Sequence, residues 1–354
     1  MDTIHIDGSH GEGGGQVLRT SLSLAMLLGR ELTIDRIRAG RPKPGLAAQH
    51  VTSVLAAARV CGARVEGADI GSQSLRFTPG RPAADRYCFD VADVRPSAGS
   101  TGLVFQTVLP ALLFSGGASQ LTIRGGTNVP WSPCYEYLRE VFLPTIARAG
   151  VDCSLRRTRG GWYPSGGGQI VSRIQPLDGS LRPLNLPAPG ALSRLLVTSV
   201  VSSTLPDPIA HRQAGAALKL LPHEVSRVAR RVVERPEGGP GTCLAIAASF
   251  RTGNAGATAL GERGKPAEKV GAEAADRFIG FLSTKAAVDL HLADQILLYA
   301  ALAAGKSVIL AEATTEHLRT NIWVIRQFLD VEMTVEGDGP VLIRVQGVGF
   351  APEY

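Results

Sequence analysis

Three stretches of this 354-residue chain follow one plan. In each, a Gln precedes an apolar run, and a β-like triplet, a polar loop and a second helical segment follow. The first stretch has Gln16, Leu22–Leu28, Leu32-Thr33-Ile34 and a helix from about Ala47. The second has Gln106, Val108–Phe114, Leu121-Thr122-Ile123 and a helix from about Cys134. The third has Asp294-Gln295, Ile296–Ala303, Val308-Ile309-Leu310 and a helix from about Asn321. From each Gln to the middle of its triplet the spacing is 17, 16 and 14 residues, an agreement that marks an internal repeat. The second helices carry apolar residues at helical spacing, such as Val51, Val54, Leu55 and Ala58, or Ile325, Phe328 and Leu329. Each then turns into a strand, as at Gly62-Ala63-Arg64-Val65, Gly150-Val151-Asp152-Cys153 and Asp330-Val331-Glu332-Met333.

Two helices on one face of a small sheet satisfy both periods. The predicted fold class is therefore α+β: three repeats of a two-helix plus four-stranded-sheet unit, with a smaller α+β domain inserted. Residues 1–184 are expected to hold repeats one and two, 185–284 the insert, and 285–354 the third repeat. Pro183, Pro187 and Pro189 surround the start of the insert. Inside it, Val225–Glu234 and Cys243–Phe250 read as strands flanking a hairpin-like Glu237–Gly241, with a helix over Glu268–Phe281.

Composition narrows the class. The 41 Gly and 22 Pro would suit a disordered chain, but 44% hydrophobic residues without a collagen period require a globular protein rich in turns. The net charge of +6 favours acidic partners, although an ordinary enzyme can carry it. Five cysteines form no CxxC pair, which supports neither a zinc ribbon nor a disulfide framework. The first residues lack a basic and apolar leader, and Leu103–Phe114 and Ile296–Ala304 are too short to span a bilayer. A cytoplasmic location and no membrane partner are expected.

Loops between the periodic segments hold the candidate chemistry. Gly8–Gln16 is a glycine-rich turn into a helix, which can cradle phosphate or can simply join strand to helix. It matches neither common nucleotide-binding glycine motif, and Glu12 inside it suits a metal ion bridging to phosphate. Arg36, Arg38, Arg41 and Lys43 crowd one loop stiffened by Pro42 and Pro44, with Gln49 and His50 opening the next helix and Arg19 one turn into the first. Forked guanidiniums in a fixed frame suit phosphate, and a solvated cationic face is the alternative. In Gly161–Gly168, Trp162 and Tyr163 can stack on a base or be buried in packing. His317 lies in the polar loop of the third repeat, beside Arg319 and a helix start.

Taken together, these residues resemble the RNA 3′-terminal phosphate cyclase family over nearly the whole chain. The resemblance rests on Asp7-Gly8…Gly11-Glu12…Gln16, Ile37–Leu46 with Gln49-His50, Gln106–Pro110 and Gly125-Gly126-Thr127-Asn128. It continues through Gly161…Pro164…Gly166–Gly168, Leu292–Gln295 and His317–Asn321. It implies an ATP-dependent enzyme that turns an RNA 3′-phosphate into a 2′,3′-cyclic phosphate through a covalent histidine–AMP. His317 occupies the position of the nucleophile. Gln106, His291, Leu292, Ala293, Asp294 and Gln295 resemble the ATP-binding positions, and Arg19, Arg38, Arg41, Gln49 and His50 those for RNA phosphates. Glu12 resembles a metal position, and Mg²⁺ or Mn²⁺ is implied. The resemblance also implies a thioredoxin-like insert without a redox motif.

Two residues depart from the family pattern. His291 stands where Tyr is common, and Gly160 where Arg or His usually precedes the glycine signature. A non-catalytic, RNA-binding or ribosome-assembly relative is the alternative, and the presence of His317 argues against it. A monomer and a homodimer are both open.

Overall fold

The computed structural model describes residues 3–11 and 14–352. Unit one runs β1 (Ile4–Asp7), α1 (Gly15–Leu28), β2 (Leu32–Asp35), α2 (Ala48–Cys61), β3 (Arg64–Glu66) and β4 (Leu75–Thr78). Unit two runs β5 (Arg86–Asp90), α3 (Thr101–Leu113), β6 (Ser119–Gly125), α4 (Tyr135–Tyr137), α5 (Leu143–Ala147), β7 (Cys153–Arg159) and β8 (Gly168–Ile174). A π-helical turn, Leu138–Phe142, joins α4 to α5. Pro144 stands where the helix resumes, and its missing N–H accounts for the local change of hydrogen-bond pattern.

The third unit opens with β9 (Asn185–Leu186), after which the chain leaves it. The inserted unit comprises β10 (Leu192–Val201), α6 (Pro208–Leu220), α7 (His223–Ser226), β11 (Ala229–Glu234), β12 (Thr242–Phe250), β13 (Asn254–Leu260) and α8 (Ala267–Thr284). The chain then resumes unit three with α9 (Leu290–Leu302), β14 (Ala304–Ala311), α10 (Glu316–Phe328), β15 (Glu332–Glu336) and β16 (Val341–Val348).

The three sheets are ordered β1-β2-β4-β3, β5-β6-β8-β7 and β9-β14-β16-β15. In each, the first pair is parallel and the other two antiparallel, so the repeat expected from the glutamine spacing is a repeat of topology. Because β9 pairs with β14, the segment expected as insert, 185–284, starts inside the third sheet, and the sheet of the insert begins at Leu192. Within the insert the expected hairpin is corrected. β10 lies between β11 and β12, because the crossover through α6 sets β11 parallel beside β10.

The first helices, α1, α3 and α9, are apolar almost all round and form the centre. α1 packs on α2, α3 and α10, and α9 packs on α10. The sheet of the insert is buried on both faces. Leu195, Val197, Leu244 and Ile246 pack under α6 and α8, while Leu196, Val200, Cys243 and Ala245 join the main core. That double burial is why β10 and β12 read as nearly unbroken apolar runs. Among the described residues no helix is long and apolar enough to cross a membrane.

Buried amides pair across this centre, although Ser21 Oγ of α1, Tyr299 Oη of α9 and Thr320 Oγ1 of α10 are buried without a hydrogen-bond partner among the described residues. Asn321 of α10 is 3% exposed. Its Oδ1 accepts from Gln16 Nε2 at 2.9 Å and from Thr20 Oγ1 at 2.7 Å, while its Nδ2 donates to the Asp294 carbonyl at 2.9 Å. Gln106 Nε2 donates to Gln295 Oε1 at 2.7 Å. Gln106 and Gln295 therefore bond across units two and three, while Gln16 bonds Asn321 across units one and three. Asn321→Ala should cost about 2–4 kcal/mol in urea unfolding, since it strands buried partners on two units. A cost below about 1 kcal/mol would show that the junction does not depend on this amide.

Candidate active site

Gly8–Gly15 brings the chain from β1 to the N-terminus of α1. Gly11 has φ +61°, and a Cβ there would stand 2.3 Å from Thr320 Oγ1. The loop is pinned to α10 by His10, whose ring stacks on Trp323 at 3.8 Å. Gly14 caps α1 without a side-chain partner for the first N–H groups. A Cβ on Gly15 would lie 2.4 Å from His50 Nε2 and 2.9 Å from Arg19 Nη1, so only glycine leaves room between these two side chains. Glu12, the expected metal residue, lies outside the described residues.

Around this turn sit the expected phosphate residues. His50 is 6% exposed, and its Nδ1 accepts from the Ala47 N–H at 3.0 Å. A neutral ring therefore carries its proton on Nε2, toward Gly15. Burial, reinforced by Arg19 and Arg38, pulls the His50 pKa down to about 3. Burial likewise lowers Arg19 to about 10, with Asp294 opposing, so the guanidinium stays charged. Its Nη2 donates to Gln16 Oε1 at 2.6 Å. Arg38 is turned back to donate to the Gly45 carbonyl at 2.7 Å. Burial lowers its pKa, and Arg41 adds to the effect. Arg41 reaches Gly14, 3.2 Å from where a Cβ would be. Gln49 serves as a tether between units, its Oε1 accepting from the Ser100 N–H at 3.0 Å at the start of α3.

Arg19 and Gln16 also belong to a cleft of about 1120 Å³ between units two and three and the insert. Its walls include Gln106, Trp131, His291, Asp294, Gln295 and His317. The third helix starts at Glu316 rather than near Asn321, because Thr315 Oγ1 accepts from the Leu318 N–H at 3.0 Å and caps it. His317 is thus the second residue of α10, exposed to the cleft beside a helix N-terminus that favours anions. His291 opens to solvent along one edge, yet burial by the cleft walls pulls its pKa below the ordinary value. His317 and Arg277 act in the same direction, and Asp289 opposes. Gln295 is held by Nε2 donating to the His291 carbonyl at 2.7 Å. Leu292 and Ala293, expected at the nucleotide, are fully buried. That expectation is corrected for their side chains, which seat α9 in the core because they follow the helical period inward.

Four residues escaped the sequence reading. Asn321 is described above. Asp289 caps α9, its Oδ1 accepting from the His291 and Leu292 N–H groups at 3.0 Å. It also accepts from Tyr137 Oη at 2.7 Å and from the Gly256 N–H at 2.9 Å, joining unit two, the insert and unit three. Burial pushes the Asp289 carboxyl up, against these hydrogen bonds, and pushes the Tyr137 phenol well up. An Asp five residues before Asp294 and ahead of an apolar helix is an N-cap signal. Trp131 is 95% exposed with φ +58°, a strained conformation for a bulky residue, at the cleft rim.

The Gly161 loop resolves the two open rings. Trp162 is buried against Gly241 of the insert, whereas Tyr163 is exposed. Gly160 donates to the Glu237 carbonyl at 2.7 Å, and Pro236 and Glu237 occupy the space that a larger residue would fill. Among the described residues, Cys134, Glu136 and Cys243 form a buried cluster of metal-ligand type. Glu136, however, pairs with the buried Arg157 guanidinium, and the Cys134 thiol is pushed well up by Cys243 and burial, so the cluster is no hard-cation cage.

Fold and site define a three-repeat α+β protein with a polar cleft in which Arg19, Lys265, Lys269 and Arg277 and the imidazoles of His291 and His317 stand among carboxylates. The family model for RNA 3′-terminal phosphate cyclase matches residues 10–335, and the chain belongs to that family. The RNA 3′-terminal phosphate cyclase of Methylococcus capsulatus is 44% identical, the match covering 98% of this chain and 97% of that one. The namesake proteins of Pyrobaculum aerophilum and Thermococcus onnurineus are 42% and 41% identical, over 98% and 99% of this chain and 99% and 100% of theirs.

His50 gives a pH signature. Its folded pKa of about 3 lies below the ordinary 6.5, so the unfolded chain binds the extra proton between those values. The contribution is fully present above pH 6.5 and shrinks as pH falls toward 3. Melting temperature followed from pH 7.5 to 4 should fall less steeply in His50→Gln than in wild type. Parallel curves would mean that His50 is protonated in the folded state.

Proposed function

We propose that this chain uses ATP to convert an RNA 3′-terminal phosphate into a 2′,3′-cyclic phosphate, with His317 as the nucleophile. One observation carries the reading: His317 stands exposed on the cleft at the capped N-terminus of α10, one helical turn from the Asn321 junction. In the first step the imidazole nitrogen attacks the α-phosphorus of ATP. A P–N bond forms, the bond to the bridging oxygen breaks, and pyrophosphate leaves. An oxygen of the RNA 3′-phosphate then attacks the same phosphorus, the P–N bond breaks, and the RNA carries an adenylyl anhydride. Finally the neighbouring 2′-OH attacks the 3′-phosphorus, loses its proton and expels AMP.

The residues around the cleft support these roles. His291, Gln106, Asp294 and Gln295 are assigned to the nucleotide, with Leu292 and Ala293 holding α9 behind them. Arg19 lines both the ATP cleft and the glycine turn, where its charge suits phosphates of either substrate. Arg38, Arg41, Gln49 and His50 are assigned to the RNA end, His50 as a neutral Nε2–H donor. Recognition of a terminal phosphate and a 2′-OH needs no base readout, so weak sequence preference follows. A divalent ion, Mg²⁺ or Mn²⁺, would supply neutralisation of the triphosphate. The residue assigned to it, Glu12, lies outside the described residues, and no step is routed through the ion.

Incubation with α-³²P-labelled ATP and a divalent cation should place acid-labile, alkali-stable label on the wild-type protein. His317→Asn should abolish it, a loss of at least about 10³-fold for removal of a nucleophile. Label persisting in His317→Asn, or absent from wild type, overturns the mechanism.

A further inference from the structure

The three sheets share one topology, yet their solvent faces differ in charge. Strand register places Arg86, Gln120, Arg173 and Ser154 in one row across the outer face of the second sheet. Cys88, Thr122, Val171 and Arg156 form the next row, and Asp90, Arg124, Gln169 and Arg159 the third. Five arginines therefore face one aspartate, and all five are exposed. Asp90 is turned to its own turn, accepting from the Ala92 N–H at 2.9 Å, and Asp85 to the Arg86 N–H at 2.7 Å. Arg124 donates to Gln169 at 3.1 Å, while Arg86, Arg156, Arg159 and Arg173 make no ion pair among the described residues.

The equivalent faces are balanced. On the first sheet Arg64 and Arg76 accompany Asp7, Asp35 and Glu66, and Arg76 pairs with Glu31 at 2.8 Å. On the third, Lys306 and Arg344 accompany Glu332 and Glu336, and Arg344 pairs with Glu336 at 2.6 Å. Repetition of the fold therefore does not account for the unpaired arginines of the second. Three rows two residues apart and four strands span roughly 13 by 14 Å, the scale of a few nucleotides.

We infer that this arginine face binds the phosphate backbone of the RNA upstream of its 3′ end. The inference deepens the proposed function and rests on it for the identity of the polyanion. Continuity with the cleft favours RNA. β6 runs from Arg124 through Gly125 into the loop whose Val129–Pro133 segment lines the cleft, and the exposed Trp131 stands on that loop. Only four residues of chain separate Arg124 on this face from Val129 at the cleft, so the two surfaces adjoin through this loop. Guanidiniums without protein partners are available for forked contacts to successive phosphates, without reading sequence.

The test uses the full chain and fluorescein-labelled, 3′-phosphorylated RNAs of about 5 and about 20 nucleotides, with Kd measured over a range of salt concentrations. In the variant Arg86→Gln/Arg156→Gln/Arg173→Gln, the Kd for the long RNA should rise about tenfold or more. The slope of log affinity against log salt should fall by about 2, near 0.7 per lost contact to a single strand. The short RNA should bind as before. Melting temperature and labelling of His317 by ATP, which do not involve this face, report that the fold and cleft are intact. Unchanged Kd and slope for the long RNA overturn the inference, the outcome expected if the face serves an acidic protein. Equal loss for both lengths also overturns it, placing the effect in the cleft. Absence of label in wild type sinks the proposed function, while the binding measurement still reads the face.

Discussion

Where α10 packs on α1 and α9, the amide junction around Asn321 ties the first and third units together through buried hydrogen bonds. Gln16 and Thr20 from α1, the Asp294 carbonyl from α9 and Asn321 from α10 satisfy one another where water is excluded. A slip of either unit by one residue would leave several buried donors or acceptors unmade, so the junction selects one register. That register positions the chemistry. His317 precedes Asn321 by one helical turn on the same side of α10, and Arg19 follows Gln16 by three residues on α1. Fixing the amides fixes the placement of both His317 and Arg19 at the cleft.

The site is electrostatically unsatisfied in a particular sense. Burial weakens the charged forms of Arg19, Arg38, His50 and His291, with Arg19 and Arg38 adding to the effect on His50, Arg41 to that on Arg38, and His317 and Arg277 to that on His291. An anion placed beside any of these groups would favour its charged form and offset that effect of burial. The helix starts of α1 and α10 differ in capping, one uncapped by a side chain and the other capped by Thr315. Asp289 plays the opposite part. It is a buried carboxylate fully engaged by four donors, which makes it a brace for α9 rather than a reactant.

Much of this was legible along the chain where periodicity and local chemistry coincide. The glutamine spacing gave away three units, because each repeat carries the same alternation of helix and strand, whereas the strand order of each sheet is set by pairing that the chain does not spell out. The start of α10 was misplaced by several residues, since a Thr cap looks like one more polar loop residue until its partner is known. Asn321 and Asp289 were unreadable as structural centres, because their partners lie in other units. The strand neighbours inside the insert were misread because β10, an apolar run without a turn signal, was not recognised as the strand between two others. Arg156 and Arg157 are adjacent in sequence, yet one is exposed on the sheet and the other is locked in a buried ion pair. Only register separates them.

The insert enters unit three after its first strand, and this has a consequence for the order in which the molecule can be made. β9 emerges early but pairs with β14, on the far side of the whole inserted unit. Gln16 waits for a partner 305 positions away. Units one and two and the insert each contain sheets built from near neighbours and can condense during synthesis, but the central junction cannot close until α10 has been made. The glycine turn, the cleft and His317 therefore come together in one late event, and a nascent chain gains its cleft only once its third unit has docked.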